Sequence, residues 1–287
     1  MDRSPIHLDA KTMTTSKPAI LFVRYSASRG SVWLKEAVAM LAVARVRWLM
    51  LLLVYYVLQL LVSVIPLVGP LAMMVLRPVF TVGFLAAAWT QERGGRPEIR
   101  HLFRGFGANL RALLPIGAVM IIGTTLAVLA TALVDGGVLL EAITSNVKPD
   151  EALAANGRVE AAMVFAIVCA IPVLLAIWFA PALVVFQDCG PGQALLTSLR
   201  AGFANWRPVA VYALLLFFFG ALLPGIAIGF VALLVPPSAA PYVITFVLVP
   251  YVFLFVAAQT ISDYVAYRDI FHAGEDGVAP IDADAPK

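Results

Sequence analysis

The run AAMVFAIVCAIPVLLAIWFAPALVVF, Ala161 to Phe186, carries no charged side chain. The hydrocarbon core of a bilayer is about 30 Å thick, and a helix crosses it with about 20 mostly apolar residues. This run is long enough to cross and too apolar to stand in water. Pro172 and Pro181 fall inside it. Proline is tolerated in a span because neighbouring helices and water take up the carbonyls it frees.

The same reading applies five more times. Spans are expected at Trp48 to Ile65, Leu71 to Trp89, Leu113 to Val134, Val209 to Val235 and Tyr242 to Tyr267. Pro66 and Gly69-Pro70 break the first from the second, and Asp135-Gly136-Gly137 ends the third. Pro224-Gly225 predicts a kink in the fifth, and Pro250 lies inside the sixth. Composition agrees. Of 287 residues 62% are apolar and 13% charged, with a mean hydropathy of +0.93; soluble domains are about 25% charged. The expected fold is all-α, a polytopic membrane protein with six transmembrane helices.

Charge sets the expected orientation. The segment before the first span carries Arg3, Lys11, Lys17, Arg24, Arg29, Lys35, Arg45 and Arg47. The loop after the second has Arg93, Arg96, Arg100, Arg104 and Arg111, and the loop after the fourth has Arg200 and Arg207. The turns at 66–70 and 236–241 carry no charge, and the loop 135–160 is mainly acidic. Lysine and arginine in short loops stay on the cytoplasmic side, so both termini are expected in the cytoplasm. Residues 1–30 lack the pattern of a signal peptide and read as a disordered tail. Residues 31–272 form the six-helix domain. Residues 273–287, with Glu275, Asp276, Asp282 and Asp284, read as a second, acidic tail.

The basic loops have their own pattern. In 99–113, Ile99, Leu102, Phe103, Phe106, Leu110 and Leu113 follow helical spacing, with Arg100, Arg104 and Arg111 opposite. Such a segment lies in the membrane interface with arginine towards the headgroups. In 191–206, Pro191 suits a first helical turn. There Leu195, Leu199, Phe203 and Trp206 form one face, and Gln193, Arg200 and Arg207 another. A weaker candidate runs from Ser31, the expected N-cap, to Val46. The three end alike, in Ala44-Arg45-Val46-Arg47, Ala108-Asn109-Leu110-Arg111 and Ala204-Asn205-Trp206-Arg207. A threefold repeat of interfacial helix, span, span is expected, with units at about 31–95, 98–190 and 191–272.

The runs Phe179-Ala180-Pro181-Ala182-Leu183-Val184-Val185, Ser198-Leu199-Arg200, Asn205-Trp206 and Tyr267-Arg268-Asp269-Ile270-Phe271 resemble a family of uncharacterised proteobacterial inner-membrane proteins, known by a locus-tag name. The resemblance covers most of 31–272. It implies a multi-pass protein of the bacterial inner membrane and brings no catalytic residue with it.

Chemistry is sparse. Cys169 and Cys189 stand roughly 30 Å apart along a helix and read as free thiols. His7, His101 and His272 are scattered, so no metal site is expected. Motifs of metal hydrolases, nucleophile elbows and phosphate loops are missing, and no pair of carboxylates falls inside an expected span. No enzyme activity, cofactor or nucleic-acid partner is expected.

Arg77 lies within the second span, roughly 10 Å from its outer end, where a charge costs a few kcal/mol. It is a candidate contact for a lipid headgroup or anion, with Asp135 or Glu160 as expected partners, unless it only snorkels to the near interface. Arg100, Arg104, Arg111, Arg200 and Arg207 are candidate headgroup contacts at the basic end. Asp263 and Asp269 flank Arg268 and are expected at a solvated helix end, within reach of Arg111 or Arg207. Gly225 and Gly229 have the spacing of a close helix contact, unless they only accommodate the Pro224 kink. The Phe217-Phe218-Phe219 cluster is expected to face lipid or fill the core. The function expected is that of a lipid-interacting scaffold, assembly or envelope-maintenance factor, touching anionic headgroups and partnered with a membrane protein or a second copy. A small-solute transporter or permease is the alternative, disfavoured by the scarcity of polar residues at mid-span.

Overall fold

The computed structural model of the chain describes residues 20–145 and 157–272, and its regular structure is helical throughout. The helices are α1 (Arg29–Val43), α2 (Arg45–Ser63), α3 (Val68–Glu92), a 3₁₀ turn (Ile99–Phe103) running into α4 (Arg104–Gly107), α5 (Leu110–Asp135), α6 (Val138–Ser145), α7 (Arg158–Phe186), α8 (Pro191–Ala204), α9 (Trp206–Leu234) and α10 (Ala240–His272). Six of them, α2, α3, α5, α7, α9 and α10, are long and apolar enough to cross a membrane. Each expected span falls on one of these. Lys148, Asp150 and Glu151 of the acidic loop lie outside the described residues, as do 1–19 and 273–287.

Each basic segment is a short helix that breaks before a span. The breaks fall at Ala44, at Ala108-Asn109 and at Asn205. Their details differ from expectation. Segment 99–113 is two pieces: Asn109 caps α5, its side chain accepting from the Ala112 amide at 3.3 Å, so Leu110, Arg111 and Leu113 belong to the span. Gly105 and Gly107 weaken any continuous helix there. Ser31 is not an N-cap, because α1 begins at Arg29; the Ser31 hydroxyl donates to the Ser28 carbonyl instead.

In α8 the buried face is Ala194, Ser198, Ala201 and Gly202, while Phe203 is half exposed. Small residues let backbones approach within a membrane, where burying a large side chain away from lipid gains little. Ser198 shows the use of that closeness. Its hydroxyl donates to the Leu175 carbonyl (2.6 Å) and accepts from the Phe179 amide (3.0 Å). It sits between two groups that a regular helix would join directly, and so seals the break in α7 ahead of Pro181.

A close crossing joins α3 and α5, where a Cβ on Gly117 would stand 2.2 Å from the Val75 carbonyl oxygen. Gly225 and Gly229 do the opposite of what their spacing suggests. They are exposed, and a Cβ on either would meet open space. The irregularity expected at Pro224 falls one turn earlier, as a π turn at Phe218–Leu222, because Pro224 has no N–H for the carbonyl four residues back.

The core lies towards the basic end. Trp33 and Ala37 of α1, Trp48 of α2, Phe179 and Leu183 of α7, and Ile261 and Ile270 of α10 are fully buried there. α1 therefore packs into the domain, against α9 and α10, rather than lying on a surface. Residues 20–28, expected as tail, are pinned as well. The Val23 amide donates to the Ile270 carbonyl, and Asn205 grips this segment through the Tyr25 amide and the Val23 carbonyl, each at 2.9 Å.

Candidate functional site: a polar groove between three spans

Arg77 sits on α3 nine residues from its first residue, roughly 13 Å along the axis. It lines a groove of about 440 Å³ walled by α2, α3 and α10. Gln59 comes from α2, Thr81 from α3, and Gln259, Thr260 and Asp263 from α10. Asp263 is not at a solvated helix end, because α10 runs on to His272. It is half-buried, its Oδ1 accepting from Trp178 Nε1 (2.8 Å) and the Tyr212 hydroxyl (3.3 Å). Those rings are stacked, with centroids 5.6 Å apart, so the carboxylate is held in a fixed direction.

The Arg77 guanidinium makes no hydrogen bond and no ion pair among the described residues. It is near enough to Asp263 for the two charges to act on each other. Asp135, its expected partner, is engaged elsewhere: both carboxylate oxygens accept backbone amides, of Gly137 and Leu139, at 2.8 Å. Three spans each contribute polar side chains to this groove.

At the basic end, Asp269 and Arg268 hold a second cluster, tied to neither Arg111 nor Arg207. Asp269 accepts from Arg29 Nε (2.5 Å), Trp33 Nε1 (2.9 Å) and Arg268 (3.0 Å). Arg268 also pairs with Glu36 (2.6 Å) and with Glu92, and Glu92 accepts the Tyr264 hydroxyl. Charges from α1, α3 and α10 are thereby joined. The Asp269 hydrogen bond holds the Arg29 guanidinium above its ordinary pKa, and burial pushes the Tyr25 phenol up. Every one of these charges is matched within the protein, which makes this a structural knot.

The remaining candidate arginines stand at the same end without converging. Arg100 pairs with Glu98 (2.7 Å), Arg207 lies over the Trp206 ring (5.6 Å), and Arg104, Arg111 and Arg200 are exposed. None lines the groove. His101 is buried behind them; the Glu98 amide donates to its Nδ1, and burial lowers its pKa. No group of metal-binding side chains occurs among the described residues.

Reading polar residues one at a time hid the groove. Gln59 and Gln259 are amides in otherwise apolar spans, and that signal was available. What could not be read from one chain is that they face each other and Arg77.

Six apolar helices, a polar groove among three of them and a basic end define a multi-pass integral membrane protein. A probable inner membrane protein of Burkholderia thailandensis is 31% identical over 263 residues, covering 89% of this chain and 95% of that one. The chain belongs to the family of that inner-membrane protein. No protein-family model matches it, and no solved structure does.

Proposed function

We propose that this inner-membrane protein is a non-enzymatic, lipid-handling factor that holds a lipid headgroup in the groove beside Arg77 and rests its basic end on an anionic leaflet. The observation that carries the reading is Arg77: a guanidinium inside a span, at the wall of a cavity, with no hydrogen-bond or ion-pair partner among the described residues. A charge so placed costs several kcal/mol unless something neutralises it, and a headgroup phosphate does so while its acyl chains stay in lipid. The exposed Arg104, Arg111 and Arg200 support the second half of the reading, each attracting anionic lipid by about 1 kcal/mol. This reading keeps the basic end cytoplasmic, as the loop arginines imply.

The test is native mass spectrometry of the protein released from nanodiscs. Wild type retains a lipid, and Arg77→Gln loses it with an unchanged thermal midpoint. If wild type emerges bare, the lipid reading fails and uptake assays come next. The second reading, a solute carrier, is favoured by the polar side chains that all three groove helices contribute.

A further inference from the structure

The groove carries two opposite charges that do not meet. The Arg77 guanidinium on α3 has no ion-pair or hydrogen-bond partner among the described residues, and Asp263 on α10 uses its Oδ1 for Trp178 and Tyr212. Oδ2 of Asp263 accepts no hydrogen bond among the described residues. Both side chains line the same cavity of about 440 Å³. Opposite charges in a low-dielectric setting attract strongly, yet Asp263 is steered by two ring donors and no direct pair with Arg77 forms. What closes the gap must offer an anion to one and a cation to the other.

We propose that the groove is a site for a zwitterion bearing an anionic group and a protonated amine: the phosphate seats on Arg77 and the ammonium on Asp263 Oδ2. Phosphoethanolamine is the headgroup of that chemistry. Gln59, Gln259 and Thr260, on the two helices flanking Arg77, supply neutral hydrogen bonds between the two ends. An anionic glycerol headgroup satisfies Arg77 and leaves Asp263 unmatched, its oxygens facing more negative charge. A choline headgroup brings positive charge but no N–H to donate. The cavity therefore ranks headgroups by chemistry and not by net charge, unlike the exposed arginines of the basic end, which favour any anion.

This inference rests on the lipid-handling reading, and the experiment separates the two. Purified protein is placed in nanodiscs holding equal parts phosphatidylethanolamine, phosphatidylglycerol and phosphatidylcholine, and retained lipid is read by native mass spectrometry. Ethanolamine lipid is expected to exceed each of the others by about tenfold. Asp263→Asn keeps an oxygen for Trp178 and Tyr212, and should erase that preference while leaving glycerol lipid bound through Arg77. Arg77→Gln should release both. Free phosphoethanolamine distinguishes the source of the zwitterion: displacement of lipid at millimolar concentration assigns the site to the headgroup alone, and failure to displace assigns it to the whole lipid. Equal or greater retention of glycerol lipid by wild type overturns the zwitterion site and leaves lipid handling standing. Preference unchanged in Asp263→Asn also overturns it. Retention of no lipid at all overturns both.

Discussion

The basic half of the molecule and the half opposite it are built on different principles. In α3, 61% of the most apolar stretch is buried within the protein, whereas in α9 the figure is 6%. α10 contains both regimes in one helix. Its end from Ala257 to Ile270 is largely buried, while Phe246, Val247 and Val249 are exposed. The basic half is closed by matched charges, stacked rings and small residues that let helices touch. The opposite half presents large apolar side chains, such as Phe217, Phe230 and Leu233, to whatever surrounds it. The protein thus holds itself together at one end and leaves the other to lipid.

Substitutions at the two ends can break this contrast. The largest effect is expected from Asp269→Ala, which strips Arg29, Trp33 and Arg268 of their shared acceptor. Removing one partner of a buried ion pair costs about 3 kcal/mol, seen as a lower thermal midpoint in detergent. Leu233→Ala at the other end should cost under about 0.5 kcal/mol; equal losses at both sites would erase the distinction. Next comes a pair of glycines. Gly117→Ala forces a Cβ against the Val75 carbonyl and should cost about 1–3 kcal/mol. Gly225→Ala meets open space and should gain about 0.5–1 kcal/mol through helix propensity.

A third, smaller effect sharpens the comparison through lipid. Moving the protein from nanodiscs to detergent should speed amide exchange in 223–234 of α9 and leave 257–270 of α10 unchanged. Uniform acceleration would contradict a self-supporting basic half. The smallest effect concerns His101, whose pKa is lowered from 6.5 by burial. Below that value the unfolded chain binds a proton that the folded one refuses, so stability falls as pH drops beneath about 6.5 and is fully present above it. Unfolding midpoints at pH 7.5 and 5.5 should differ in wild type and differ less in His101→Asn.

The number of spans and their positions were legible because a lipid-exposed helix must be apolar along its length, and Leu113 to Val134 or Ala161 to Phe186 are nothing else. That a short basic segment precedes three of the spans was legible too, in their shared endings, but not that the chain breaks at Ala44, Asn109 and Asn205 inside those segments. Facing was not. Membrane helices bury small residues and leave large ones to lipid: the Leu195, Leu199 and Phe203 face of α8 is half-buried to exposed, and the face packed into the protein is Ala194, Ser198 and Ala201, while Gly225 and Gly229 lie on an exposed face of α9. Asp263 and Asp269 were misplaced for another reason: α10 continues beyond its apolar stretch to His272, carrying both into the protein. Arg77 was legible as a charge out of place, but its groove depends on which spans are neighbours.

The clasp between residues 20–28 and the end of α10 bears on how the chain is made. The Tyr25 hydroxyl reaches the Asp269 carbonyl across 244 residues of sequence, so the earliest part of this region to leave the ribosome waits for the last. Until α10 enters the bilayer, Arg29 and Trp33 lack their acceptor and α1 has only α9 of its two main partners to lie against. The first five spans are therefore complete before this clasp can close. A chain cut before residue 269 would carry its first five spans and hold the N-terminal segment through Asn205 alone, with Arg29 and Trp33 left without their acceptor.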